Sequence, residues 1–132
     1  MNTKLIMTLS ALFLAVMGIG LIFMPLEIAA AAGISFTKAF GLMLQVLGAM
    51  YFAFAMLNWM AKGAHIGGIY NKPIAMANLT HFVIGGLALL KALMHDPAQP
   101  YAVWAIAGIY TIFAVLFGLM FFRDPVNESR IA

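Results

Sequence analysis

Four apolar runs, residues 5–24, 39–61, 74–94 and 101–122, dominate this chain, and no Asp or Glu falls inside any of them. Each is close to the roughly 20 residues with which a helix crosses about 30 Å of hydrocarbon. In that medium a segment must satisfy its own backbone N–H and C=O groups, so each run is predicted to be a membrane helix. The breaks carry helix-ending residues: Pro25, then Lys62 and Gly63 through Lys72 and Pro73, then His95, Asp96, Pro97 and Pro100, and last Arg123, Asp124 and Pro125. Every break is short, and short connections favour antiparallel neighbours. The expectation is an all-α integral membrane protein, a four-helix up-down bundle forming one domain over residues 1–132.

Composition agrees. Of 132 residues, 65% are hydrophobic and only 8% charged, against roughly 25% charged in soluble domains, so a water-covered surface is excluded. With no Cys, disulfides, thiolate metal sites and cysteine nucleophiles drop out together. The net charge of +3 comes from basic residues scattered singly. That pattern reports topology and gives no footprint for nucleic acid.

Sorting the basic residues by side puts Lys4, Lys62, Lys72, Arg123 and Arg130 on one face, and Lys38 and Lys91 on or near the other. The positive-inside bias then predicts that both termini and the central loop are cytoplasmic. Trp59 and Tyr70 near that side, and Tyr101 and Trp104 near the far side, suit the aromatic belts. The first run is read as a span, because its apolar stretch exceeds the 7–15 residues or so of a signal-peptide core. Residues 26–37 are too short to span. They are read as a small interfacial helix or coil, with Ser35 or Thr37 capping the next helix.

Helix association in lipid relies on close approach at small residues and on interhelical hydrogen bonds. Alternating three- and four-residue steps give candidate seams: Ala11, Ala15 and Gly18 in the first span, and Gly41, Gln45, Gly48, Phe52, Ala55 and Trp59 in the second. The third offers Asn78, His81, Gly85, Ala88, Ala92 and His95, and the fourth Tyr101, Trp104, Gly108, Thr111, Val115, Gly118 and Phe122.

Residues able to carry chemistry are few. No catalytic residue and no metal ligand set is assigned, and no cofactor is specified. Without an intramembrane carboxylate, a proton-coupled exporter of the small multidrug-resistance kind is excluded. Vitamin K epoxide reductase chemistry fails for want of Cys, and the Arg- and Glu-rich motif of the four-helix eicosanoid enzymes is absent. His81 lies seven residues inside the third run, about 10 Å along a helix, with Asn78 on the same face. Asn58 and Ser10 lie at comparable depth, and the four are candidates to converge. Such a His can ligate haem iron or a metal, bind a quinone head, or act as base toward Ser10. The structural alternative is a neutral imidazole sharing hydrogen bonds with Asn58 and Asn78. Gln45 is expected to make one interhelical hydrogen bond, with Lys91 a candidate to face it. Lys91 itself should snorkel to the interface, where Lys62, Lys72 and Lys91 are candidate anionic-lipid contacts.

Other patterns carry less. Eleven Met residues serve mostly as gap-fillers, since no dense array accompanies them. Ser35 and Lys38 match S-x-x-K without its partner motifs. The loop from Lys62 through His65, Gly67 and Gly68 to Pro73 lacks the ending of a phosphate-binding loop.

The stretch Asn58-Trp59-Met60-Ala61-Lys62, then Gly67-Gly68-Ile69-Tyr70 and Asn78-Leu79-Thr80-His81, in a chain of this size with four spans and a Gly-rich second helix, resembles small bacterial four-helix inner-membrane proteins of the DoxX-like kind. The resemblance covers the whole chain and implies a multi-pass protein of the bacterial inner membrane. Some DoxX-like proteins are associated with quinone-linked oxidoreductase complexes, but no catalytic motif carries over.

Three functional expectations follow. The first is a non-catalytic scaffold or accessory subunit in the lipid bilayer, as a homo-oligomer or within a larger membrane complex. The second is a carrier or pore for a neutral or lipophilic solute, lined by Gln45, Tyr51, Asn58, Asn78, His81 and Thr111. The third is a quinone- or haem-linked redox component using His81.

Overall fold

The computed structural model describes residues 2–64 and 71–122. Arg123, Asp124, Pro125, Glu128, Arg130 and the loop residues His65, Gly67, Gly68, Ile69 and Tyr70 lie outside them. Five helices occur among the described residues: α1 (Thr3–Phe23), α2 (Pro25–Ala31), α3 (Lys38–Ala61), α4 (Lys72–His95) and α5 (Tyr101–Phe122). Four of them, α1, α3, α4 and α5, are long and apolar enough to cross a membrane. Their bounds fall within two residues of the expected spans. The chain divides into two compact units, one holding α1, α2 and α3 and the other α4 and α5.

In the first unit, α1 starts where Asn2 Oδ1 accepts the Leu5 N–H at 3.1 Å, which satisfies one of the donors that a helix start leaves unpaired. Pro25 then opens α2, a position where its missing N–H and fixed φ do no harm. The α2 stop is a Schellman turn: Gly33 takes φ +69°, its N–H bonds to Ala30 O, and the Ile34 N–H bonds to Ala29 O. Thr37 caps α3 by accepting the Phe40 N–H at 3.1 Å. Residues 25–31 thus take the helical form of the two that the sequence left open, and Thr37 is the cap.

Helices α1 and α3 pack with contacts in reverse order. Ser10 meets Asn58, Gly18 meets Gly48 and Phe52, and Ile22 meets Gln45, so the two helices run antiparallel. The tightest point is Gly18 with Gly48. A Cβ on Gly18 would stand 2.8 Å from Gly48 O, and a Cβ on Gly48 would stand 2.8 Å from Gly18 O. Only glycine allows that backbone approach.

The second unit is a hairpin with an aromatic seam. Pro73 sits in the first turn of α4. The α4–α5 link is closed by Asp96, whose Oδ1 accepts the Ala98 N–H at 3.0 Å and whose Oδ2 accepts the Gln99 side-chain N–H at 2.9 Å, an Asx turn. Phe82 is fully buried. It stacks on Phe113 at 4.9 Å and on Phe117 at 5.7 Å, and meets Tyr110 edge-on at 5.2 Å. Each such pair adds roughly 0.5–1.5 kcal/mol beyond area burial.

This seam corrects the expected one on α5. The buried residues are Ala107, Tyr110, Phe113, Phe117 and Met120, whereas Tyr101, Trp104, Gly108, Thr111, Val115 and Phe122 are exposed. On α4 the expected stripe holds at Asn78 and Gly85, but Ala88, Ala92 and His95 are exposed while Phe82, Gly86 and Leu93 are buried. Small residues marked the wrong stripe because ring stacking, not backbone approach, holds this pair together. Large apolar side chains such as Val16, Met43, Ile84 and Ile112 are exposed, which suits hydrocarbon as the solvent.

Candidate functional site

Each hairpin carries a side-chain hydrogen bond between its own two long helices. In the first, Ser10 and Asn58 are both fully buried. Asn58 Nδ2 donates to Ser10 Oγ at 3.0 Å, and Ser10 Oγ donates to Met7 O at 3.0 Å. The serine proton is therefore engaged by its own helix, which is not the arrangement of an activated nucleophile. The pair joins α1 to α3.

In the second hairpin, His81 Nε2 and the Tyr110 hydroxyl share a hydrogen bond of 3.2 Å. Tyr110 is 2% exposed and His81 is half-buried. Gly85, one turn beyond His81, makes the geometry: a Cβ there would stand 2.5 Å from Tyr110 Cε1. The phenol ring lies where a larger side chain would block it, and this directs its hydroxyl to the imidazole. Sequence reasoning missed Tyr110 because it falls off the expected α5 stripe. The available signal was the facing Gly85, which leaves room for a ring.

Asn78 is fully buried and donates to Ile74 O at 2.9 Å, one turn back on α4. Gln45 Nε2 donates to Ile22 O at 3.3 Å, which is the single interhelical bond expected of it. Tyr51 is half-buried midway along α3. Thr111 donates to Ala107 O at 2.8 Å on its own helix and is exposed. Lys62 Nζ lies 2.9 Å from the centroid of the Trp59 ring, a cation–π contact. Lys72 begins α4, and Lys91 is exposed near its end. Among the described residues every buried side-chain nitrogen or oxygen has a hydrogen-bond partner, and no three His, Asp or Glu gather as metal ligands.

Each hairpin also carries an apolar groove. One of about 200 Å³ runs between α1 and α3 from Ala15 and Phe52 to Trp59. The other, about 180 Å³, lies between α4 and α5 beside Gly86, Leu90 and Thr111. No known protein family, curated protein or solved structure matches the chain.

Proposed function

We propose that this is a non-catalytic membrane scaffold or accessory subunit of the bacterial inner membrane, working as a homo-oligomer or within a larger membrane complex. In this reading the four spans form an up-down bundle with both termini cytoplasmic, as the distribution of Lys and Arg suggests. The observation that carries the proposal is the use made of the polar side chains within the spans. Ser10, Gln45, Asn58, Asn78, Thr111 and the His81–Tyr110 pair are engaged with a neighbouring helix or with their own backbone. Three of these contacts, Gln45 to Ile22 O, Asn58 to Ser10 and His81 with Tyr110, link two helices, the pattern of interhelical glue. The absence of a carboxylate from every span supports it further, since a proton relay would need one.

The test is native mass spectrometry, with an absorption spectrum, on the full chain released in gentle detergent. A defined multimer or a stoichiometric complex with another membrane subunit is expected. A monomer carrying haem or quinone would overturn the reading and make His81 the first residue to substitute.

A further inference from the structure

The first hairpin pairs an apolar slot with fixed positive charge at one end. The slot between α1 and α3 has a floor of small side chains, Ala11, Ala15 and Ala55, and walls of Leu12, Phe52 and Met56. Trp59 lines the end nearest the α3 terminus. There the Lys62 ammonium sits over the indole ring, 2.9 Å from its centroid. Lys4 stands at the same end for two reasons. Antiparallel packing with Ser10 opposite Asn58 brings the start of α1 beside the end of α3. The spacing Lys4, Thr8, Ala11, Ala15 also keeps Lys4 on the helix face that forms the slot floor. The one acidic residue of this hairpin, Glu27, lies on α2 at the opposite end.

From this geometry we propose that the slot binds an acidic membrane phospholipid, with one acyl chain along the small-residue floor and the headgroup phosphate held between Lys62 and Lys4. Charge complementarity selects the occupant: two ammonium groups at the end of the hairpin away from its carboxylate favour a net negative headgroup over a zwitterionic one. The lining is apolar and takes a short stretch of methylenes from one acyl chain, about 200 Å³ in all. The indole serves twice. It lines the slot where the chain would meet the headgroup, and its face holds the Lys62 ammonium beside that end.

The experiment uses the full chain in nanodiscs of equal dioleoyl phosphatidylglycerol and dioleoyl phosphatidylcholine, with the lipids retained on ejection counted by native mass spectrometry. Wild type should retain phosphatidylglycerol over phosphatidylcholine by roughly fivefold or more, the order expected of one to two interfacial lysines. The Lys4→Gln/Lys62→Gln double variant, altered only at the lip, should fall to near parity. Ala15→Leu, which fills the floor, should lower retention of both lipids. Parity in the wild type, or a preference that survives the double variant, would overturn the proposal. So would a dimer that Ala15→Leu dissociates without loss of lipid, since the slot would then hold a second copy. If Ala15→Leu fails to fold, the lysine double variant decides alone.

Discussion

Gly18 and Gly48 each occupy the space that the other's side chain would need, with either carbonyl oxygen 2.8 Å from the position of the partner's missing Cβ. The obstacle is backbone, which cannot rotate away, so Gly18→Ala and Gly48→Ala must push α1 from α3. Overpacking of this kind costs about 1–3 kcal/mol, offset by the roughly 1 kcal/mol that Ala gains over Gly in a helix. Each variant should therefore unfold at a lower SDS fraction in mixed-micelle titrations. A Cβ on Gly108 would meet nothing within 4 Å, so Gly108→Ala should be neutral or slightly stabilising. Equal behaviour of Gly18 and Gly108 would refute the close-approach account.

Gly85 and Tyr110 form a different kind of contact, between a bare helix surface and a ring. Gly85→Ala should displace the ring and break its bond to His81, which makes the substitution overlap in effect with Tyr110→Phe. The double variant should then cost less than the sum of the singles, by about 0.5 kcal/mol or more. A shift of the His81 side-chain NMR resonances in both single variants checks that the same bond is lost. Strict additivity, or an unmoved imidazole in Gly85→Ala, would count against the positioning role.

The difference between these two glycine contacts shows where the sequence was legible. Span bounds were readable because length, charge and Pro placement constrain them directly, as at Pro25, Pro73 and Pro100. The α1–α3 seam was readable too, because Gly18, Gly48 and Ala55 are small and packing there is by backbone approach. On α5, every face is apolar, so Gly108 and Thr111 offered the only visible stripe, yet Phe113 and Phe117 stack on Phe82 and bury the other side. Composition alone does not distinguish two apolar faces. Comparable depth was legible for Ser10 and Asn58, but their direct bond and the His81–Tyr110 bond both depend on helix rotations that spacing does not report.

The Ser10–Asn58 pair is worth measuring by a double-mutant cycle with Ser10→Ala and Asn58→Ala. Interhelical hydrogen bonds in membranes average about 0.6 kcal/mol, with a maximum near 1.7, and a coupling energy in that range is expected. The singles should be unequal. After Asn58→Ala, Ser10 Oγ still donates to Met7 O, while Ser10→Ala removes an acceptor from a fully buried amide. Coupling near zero would show that the two side chains do not hold α1 to α3.

The turn between α2 and α3 gives a prediction that separates backbone strain from capping. Gly33 holds φ +69° with open space around it, so Gly33→Ala meets no neighbour and its cost, about 1–2 kcal/mol, comes from forcing an L-residue into the left-handed region. Thr37→Ala keeps the backbone but loses the bond to the Phe40 N–H, typically about 1 kcal/mol. Because α2 is short and Ala29 is its one buried residue, both losses should appear first as local opening. Hydrogen exchange should therefore accelerate at Gly33, Ile34 and Phe40 before the mid-span amides of α1 and α3 respond. Gly33→Asn, which tolerates the left-handed region, should restore most of the protection at Gly33 and Ile34. Failure of Asn to do better than Ala would place the loss in side-chain contacts and refute the strain account.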